Sequence, residues 1–300
     1  MNITEIKQKI ENGAFDKDFS MLYGDVSAAR ARYTAACDSF CDIFSERDNI
    51  RLFSAPGRTE VGGNHTDHQH GCVLAGGVNL DVIAVVAPNN DGKVRIKSEG
   101  YDMDTVDICK LEKDESEHGC ASALIRGVLS RFKELGCTLS GFNAYTTSNV
   151  LKGSGLSSSA AFEVLVGNIV NGMFFEAKAD EITVAKIGQY AEREYFGKPC
   201  GLLDQMASSL GGFTYADFFD PAEPITEKIN LDIHSFGYTL CVVDTGGNHA
   251  NLTQDYADIT IECKKISNAL GVDFLRDADS ERFYNSISEL RRSCGDRAVL

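Results

Sequence analysis

The stretch from Gly153 to Ala161 reads G-S-G-L-S-S-S-A-A and runs straight into the apolar segment Phe162-Glu163-Val164-Leu165-Val166. Glycine lets a backbone approach a ligand closely. The free N–H groups of a helix's first turn favour an anion. Serine hydroxyls can bond a phosphate or hold a metal ion beside one. Together these residues read as a cradle for nucleotide phosphates. No Lys-Ser or Lys-Thr follows the second glycine, so this is not a Walker loop. A serine-capped helix after a glycine turn would have the same local composition.

Two further clusters could do chemistry. Residues 55–71, A-P-G-R-T-E-V-G-G-N-H-T-D-H-Q-H-G, gather Arg58, His65 and Asp67 among glycines. Residues 199–206, P-C-G-L-L-D-Q-M, place one carboxylate, Asp204, among small and apolar neighbours. Each has a plainer reading. Arg58 could be a surface arginine after a Pro-Gly turn, and Asp204 a carboxylate stabilising a helix N-terminus. Glu192 lies in the charged run Glu192-Arg193-Glu194 and could belong to a solvated helix face. His65, Asp67, His68 and His70 are good ligand types for a transition metal, but their spacing matches no zinc motif.

With all three clusters in view, the chain resembles the galactokinase branch of the galactose, homoserine, mevalonate and phosphomevalonate kinases. That branch opens with G-R-x-N-x-I-G-E-H-x-D-Y-x-x-G, and Gly57, Arg58, Gly63, His65, Asp67 and Gly71 keep its register. The phosphate loop of the family matches Gly153 to Ala161. Its C-G-x-x-D-Q segment matches Cys200, Gly201, Asp204 and Gln205. Departures fall at Glu60, Gly62, Asn64 and His68, where the signature has asparagine, isoleucine, glutamate and tyrosine. The family's glutamate contacts a sugar hydroxyl. Asn64 both donates and accepts, whereas a carboxylate only accepts, so this change bears on sugar choice. Thr245 to Tyr256 resembles a segment ending in a sugar-contacting tyrosine, with Asn248 in place of an arginine.

The resemblance implies an ATP-dependent sugar 1-kinase requiring Mg2+, with galactose as the leading acceptor. Asp204 and Arg58 would act at the reacting hydroxyl and the phosphoryl group. Asn64, His65, Asp67, Gly201 and Tyr256 would bind the sugar. Gly153, Ser154, Gly155, Leu156, Ser157, Ser158, Ser159 and Ala160 would surround the nucleotide phosphates. Ser159, or its neighbour Ser158, and Glu192 would hold the metal ion. Alternatives are a kinase for N-acetylgalactosamine, arabinose or galacturonate, and a sugar- and ATP-binding sensor without turnover. An intact phosphate loop and Asp204 favour catalysis over the sensor.

Composition sets outer bounds. Three hundred residues, 43% of them hydrophobic, are ample for a buried core and suggest about two domains. A net charge of −15 argues against nucleic acid or an anionic membrane as partner. The start, M-N-I-T-E-I-K-Q-K-I-E-N, lacks the apolar core of a signal peptide, and no run of about 18 apolar residues occurs. Ten scattered cysteines without a Cys-x-x-Cys pair suit reduced thiols. A cytoplasmic monomer is the resulting expectation.

The elements that must position these clusters follow from periodicity. Residues 3–12 and 26–46 read as helices, the second with Ala28, Ala29, Tyr33, Ala36, Phe40 and Phe44 on one face. Val82 to Ala87 reads as a buried strand, 89–92 as a turn and 93–98 as an alternating strand. Helices are expected at 120–135, 159–176, 181–196 and 253–270, and strands at 141–149, 212–217 and 237–244. The expected class is α+β, with a ribosomal S5-like N-terminal domain followed by a truncated ferredoxin-like C-terminal domain. The divisions are a helical segment (1–48), a kinase N-terminal domain (49–215) and the start of a C-terminal domain (216–300). The family's third glycine-rich motif does not occur between Val272 and Leu300, so turnover below that of a longer chain is expected.

Overall fold

The computed structural model describes residues 1–150, 153–243 and 253–300, with side chains described except at 234 and 253–257. Three helices come first: α1 (Ile3–Glu11), α2 (Asp16–Tyr23) and α3 (Val26–Ile43). Asn2 and Glu5 form a capping box on α1, and the Asp25 carboxylate accepts from the Ala28 N–H to start α3. Strands β1 (Arg51–Gly62), β2 (Cys72–Pro88), β3 (Lys93–Ser98) and β4 (Met103–Asp107) follow. Then come α4 (Ala121–Glu134), β5 (Phe142–Ser148), α5 (Ser158–Phe174), α6 (Glu181–Tyr190) and a π-helical stretch, Ala191–Phe196. Helix α7 (Leu203–Leu210) and strands β6 (Phe213–Asp217) and β7 (Ile225–Ile229) complete this part. The rest holds α8 (Thr253–Leu270), α9 (Ser280–Cys294) and α10 (Asp296–Val299).

The seven strands among the described residues form one sheet in the order β4-β3-β5-β2-β6-β7, with β1 antiparallel to β2. Among the described residues only β3 and β5 pair in parallel. Both faces are covered. Alternate residues of β2 explain how: Val82, Ala84 and Val86 enter the core under α4–α6, while Ile83, Val85 and Ala87 enter the core under α1–α3. Burial on both faces is why this segment reads as a continuous apolar run. The front of β2 supplies Val73 and Ala75 to a third core beneath α7. A small separate cluster, Ile266, Leu270 and Leu290, joins α8 to α9. Gly127 permits the close approach of α4 to the π-helical stretch, since a Cβ there would lie 2.7 Å from Ala191 Cα.

Several expectations need correction. The strand expected at 237–244 is absent over the described residues 237–243, where Tyr238 and Val243 are exposed. Alternating apolar residues make a strand only beside a partner, and the sheet's neighbour for β6 is β7 instead. The ladder Asp217↔Ile225 to Phe213↔Ile229 means that the division at 215/216 cuts through β6. The second helix ends at Ile43 rather than 46, and Ala28 is exposed rather than on the buried face. Residues 181–196 begin as an α-helix but finish as a π-helix from Ala191. Strands β1, β4 and β7 and helices α2, α9 and α10 lie where no element was expected, whereas α7 starts where the helix-terminus reading of Asp204 put a helix.

Candidate active site

Backbone conformation shapes the loop before any side chain acts. Gly153, Gly155 and Ser157 all adopt left-handed φ values, +77°, +77° and +56°. Such alternation turns successive N–H groups toward one side, which suits an anion. Gly155 is exposed and a Cβ there would meet nothing, so the loop's outer side is open. α5 then starts at Ser158, one residue before the expected start at 159. Leu156 is buried as an anchor, and its carbonyl accepts from the Arg58 N–H at 3.1 Å, tying the loop to β1.

Arg58 lies just after a register shift in β1 between Pro56 and Arg58. A bulge re-aims the side chain that follows it. Arg58 is buried, its Nε donates to Asp204 Oδ1 at 2.7 Å and its Nη1 to the Gly155 carbonyl at 2.7 Å. Ser157 Oγ donates to the other carboxylate oxygen, Oδ2, at 2.5 Å. Three segments distant in sequence therefore meet at one carboxylate. Asp204 sits in the first turn of α7 with its side chain 29% exposed. Burial pushes its carboxyl upward, but the charge and hydrogen bond of Arg58, with the Ser157 hydroxyl, outweigh that and hold it below the usual range.

The signature loop lies alongside. Asn64 and His65 are exposed and left-handed, and His65 Nδ1 is 3.9 Å from Asp204 Oδ1. Glu60 accepts from the His65 N–H at 2.8 Å, which fixes the turn. Asp67 is buried. Its Oδ2 accepts from the Leu203 N–H at 3.2 Å. Burial raises its carboxyl above the usual range, with the Leu203 N–H working against the shift. Gly201 makes this contact possible, because a Cβ there would sit 1.7 Å from Asp67 Oδ2. Tyr256, Thr245 and Asn248 lie outside the residues whose side chains are described.

A second group meets at the head of α5. Ser159 Oγ donates to Glu192 Oε1 at 3.2 Å, and Lys198 Nζ donates to the same oxygen at 2.8 Å. Glu192 is 2% exposed, so the solvated-face reading fails. Burial works against the charge of Lys198, yet Glu192 leaves its pKa above the ordinary value. Hydroxyl and carboxylate are hard oxygen donors. Among the described residues no group of three or more His, Cys, Asp or Glu gathers as a metal site. One carboxylate and one hydroxyl fit a small divalent cation shared with substrate phosphates better than a dedicated protein cage. Sequence reasoning missed Lys198, which lies just before the 199–206 segment, saw Glu60 only as a departure from the signature, and gave Gln205 no role.

An arginine, a serine loop and a carboxylate brought together in this way could hold a hydroxyl beside a phosphate. Residues 123–212 match the family described as GHMP kinases N terminal domain, and residues 38–88 match the galactokinase galactose-binding signature. A galactokinase of Streptomyces coelicolor is 33% identical over 226 residues, covering 75% of this chain and 58% of that protein. One from Lactobacillus helveticus is 32% identical over 257 residues, covering 81% and 65% respectively. The chain thus spans roughly three fifths of the length of these relatives. In fold it is similar to the Lactococcus lactis galactokinase complexed with galactose, with a TM-score of 0.69 at 22% identity over 85% of this chain and 67% of that one. Similarity also extends to Methanococcus jannaschii mevalonate kinase, with a TM-score of 0.53 at 15% identity over 75% of this chain and 73% of that one. By these matches the chain is similar to the galactokinases among the galactose, homoserine, mevalonate and phosphomevalonate kinases. Among the described residues no helix is long and apolar enough to cross a membrane.

Proposed function

We propose that this chain carries an ATP-dependent sugar kinase that phosphorylates the anomeric hydroxyl of galactose. The observation that supports this most directly is the single carboxylate of Asp204, bonded at once to Arg58 and to the serine loop. In phosphoryl transfer a protein mainly positions reactants and stabilises charge. Arg58 offers a rigid, permanently charged fork for phosphate oxygens. Asp204, held below the usual carboxylate range, is a weak base toward an unactivated hydroxyl. Its role is to orient that hydroxyl and accept the proton late, as the O–P bond forms.

Asn64, His65, Asp67, Gly201 and Tyr256 make up the sugar end in this reading. Residues 153–160 take the nucleotide phosphates, and Ser159 with Glu192 would hold Mg2+. That ion, when bound, neutralises charge on the phosphate oxygens. The ribosomal S5-like and ferredoxin-like descriptions belong to the same reading, with the division between the two domains moved past β7. So do the cytoplasmic location and the monomeric state.

Asn64 favours a second reading within the same chemistry, a kinase for a related sugar, because it stands where the family has a glutamate toward the sugar. An ADP-release assay over galactose, N-acetylgalactosamine, arabinose and galacturonate separates the two. Turnover with galactose, abolished in Asp204→Ala while nucleotide still binds, is expected. Turnover with another sugar alone would give the second reading. Undiminished turnover in Asp204→Ala would remove the assigned role of the carboxylate.

A further inference from the structure

Gln205 is fully buried beside Asp204 in α7. Its single amide nitrogen donates to Glu163 Oε2 at 2.9 Å and to Glu192 Oε2 at 2.8 Å. An amide nitrogen has two hydrogens, so both are spent. The two acceptors come from different elements, α5 and the π-helical stretch, while the donor comes from α7. Glu192 is thereby held by one oxygen, and its other oxygen faces Ser159 Oγ and Lys198 Nζ.

The surroundings are built for this bridge. Gly188 of α6 leaves room for it, since a Cβ there would lie 3.2 Å from both Gln205 Cγ and Glu163 Cβ. Glu163 is 1% exposed. Glu163 Oε1 and Gln205 Oε1 are buried without a hydrogen-bond partner. Buried polar atoms left unpaired cost stability, and well-packed apolar side chains in their place would not. Packing therefore does not account for the trio. Burial and the nearness of Glu192 push the Glu163 carboxyl well above its usual range.

We propose that Gln205, braced by Glu163, is a positioning residue that aims the Glu192 carboxylate at Ser159 Oγ and so sets how strongly magnesium joins bound nucleotide. The inference rests on the kinase reading, because Glu192 and Ser159 are metal ligands only within it. Residues that orient a metal ligand from behind commonly change metal affinity by 10–100-fold when removed.

The test needs no turnover. Calorimetric titration of ATP into the 300-residue chain, once with excess magnesium and once with EDTA, gives the factor by which the metal tightens binding. Gln205→Met should reduce that factor by about tenfold, with affinity in EDTA held within about twofold of wild type. Should Gln205→Met fail to fold, a second pair decides. Glu163→Met should show the same selective loss, and Glu163→Gln, which keeps shape and acceptor, should restore the factor. An unchanged factor in folded Gln205→Met or Glu163→Met overturns the proposal, as does an equal loss with and without metal. Wild-type protein that binds ATP without any help from magnesium refutes this inference alone. Wild-type protein that binds no ATP refutes the kinase reading and this inference with it.

Discussion

Breaking the contact between Arg58 and Asp204 should show how much the meeting of β1 with α7 contributes to the fold. The pair is joined at 2.7 Å, with the arginine side chain 8% and the aspartate 29% exposed. Two unit charges about 4 Å apart interact by about 4 kcal/mol at an effective dielectric near 20. A hydrogen bond to a charged group contributes about 1.5–3 kcal/mol net. The open edge of Asp204 lets water weaken the attraction, which places the coupling at about 2–3 kcal/mol. Arg58→Met, Asp204→Asn and the double variant form a thermodynamic cycle, read by urea unfolding at pH 7. Arg58→Met alone should cost more than the coupling, about 3–4 kcal/mol, because it strands a carboxylate. Folding lowers the pKa of Asp204. Its contribution is therefore complete above the unfolded carboxylate's value near 3.9 and is lost as pH falls through the lower folded value. The coupling should persist from pH 7 to pH 5 and fade below about pH 4. A coupling under about 0.5 kcal/mol, or one indifferent to acid, would refute the reasoning.

Two smaller perturbations address the same cavity. Gly201→Ala drives a methyl into Asp67 Oδ2, so galactose affinity measured by calorimetry should fall about tenfold or more; unchanged affinity would dissociate Asp67 from the sugar. Ser157→Ala removes the donor to Asp204 Oδ2, costing about 1 kcal/mol. By withdrawing one stabiliser of the charged form it should raise the carboxyl's pKa, moving the acidic limb of the kcat/KM profile to higher pH. A limb that stays in place or moves lower would contradict that role.

Sequence alone revealed the pieces that are local. The glycine–serine loop, the run Val82–Ala87 and the helix 121–134 carry their signals within a few turns. The Arg58–Asp204 pair spans 146 positions, and no spacing rule reaches that far; only the family resemblance joined the two. The strand error at 237–244 has a different origin. Thr226, Glu227 and Lys228 of β7 are polar because that strand forms the sheet's margin, whereas Tyr238, Leu240 and Val242 alternate persuasively with no strand partner among the described residues. Glu163, hidden inside an apolar helix, gave no hint of Gln205 because helical periodicity says nothing of what another helix brings to it.

One strand, the 17-residue β2, supplies side chains to three of the four apolar clusters. The N-terminal helices are therefore no detachable ornament: stripped away, they would leave Ile83, Val85, Ala87 and Tyr145 facing water. A protease nick anywhere in β2 would undo several interiors together, while one among Tyr238–Val243 would touch none of them.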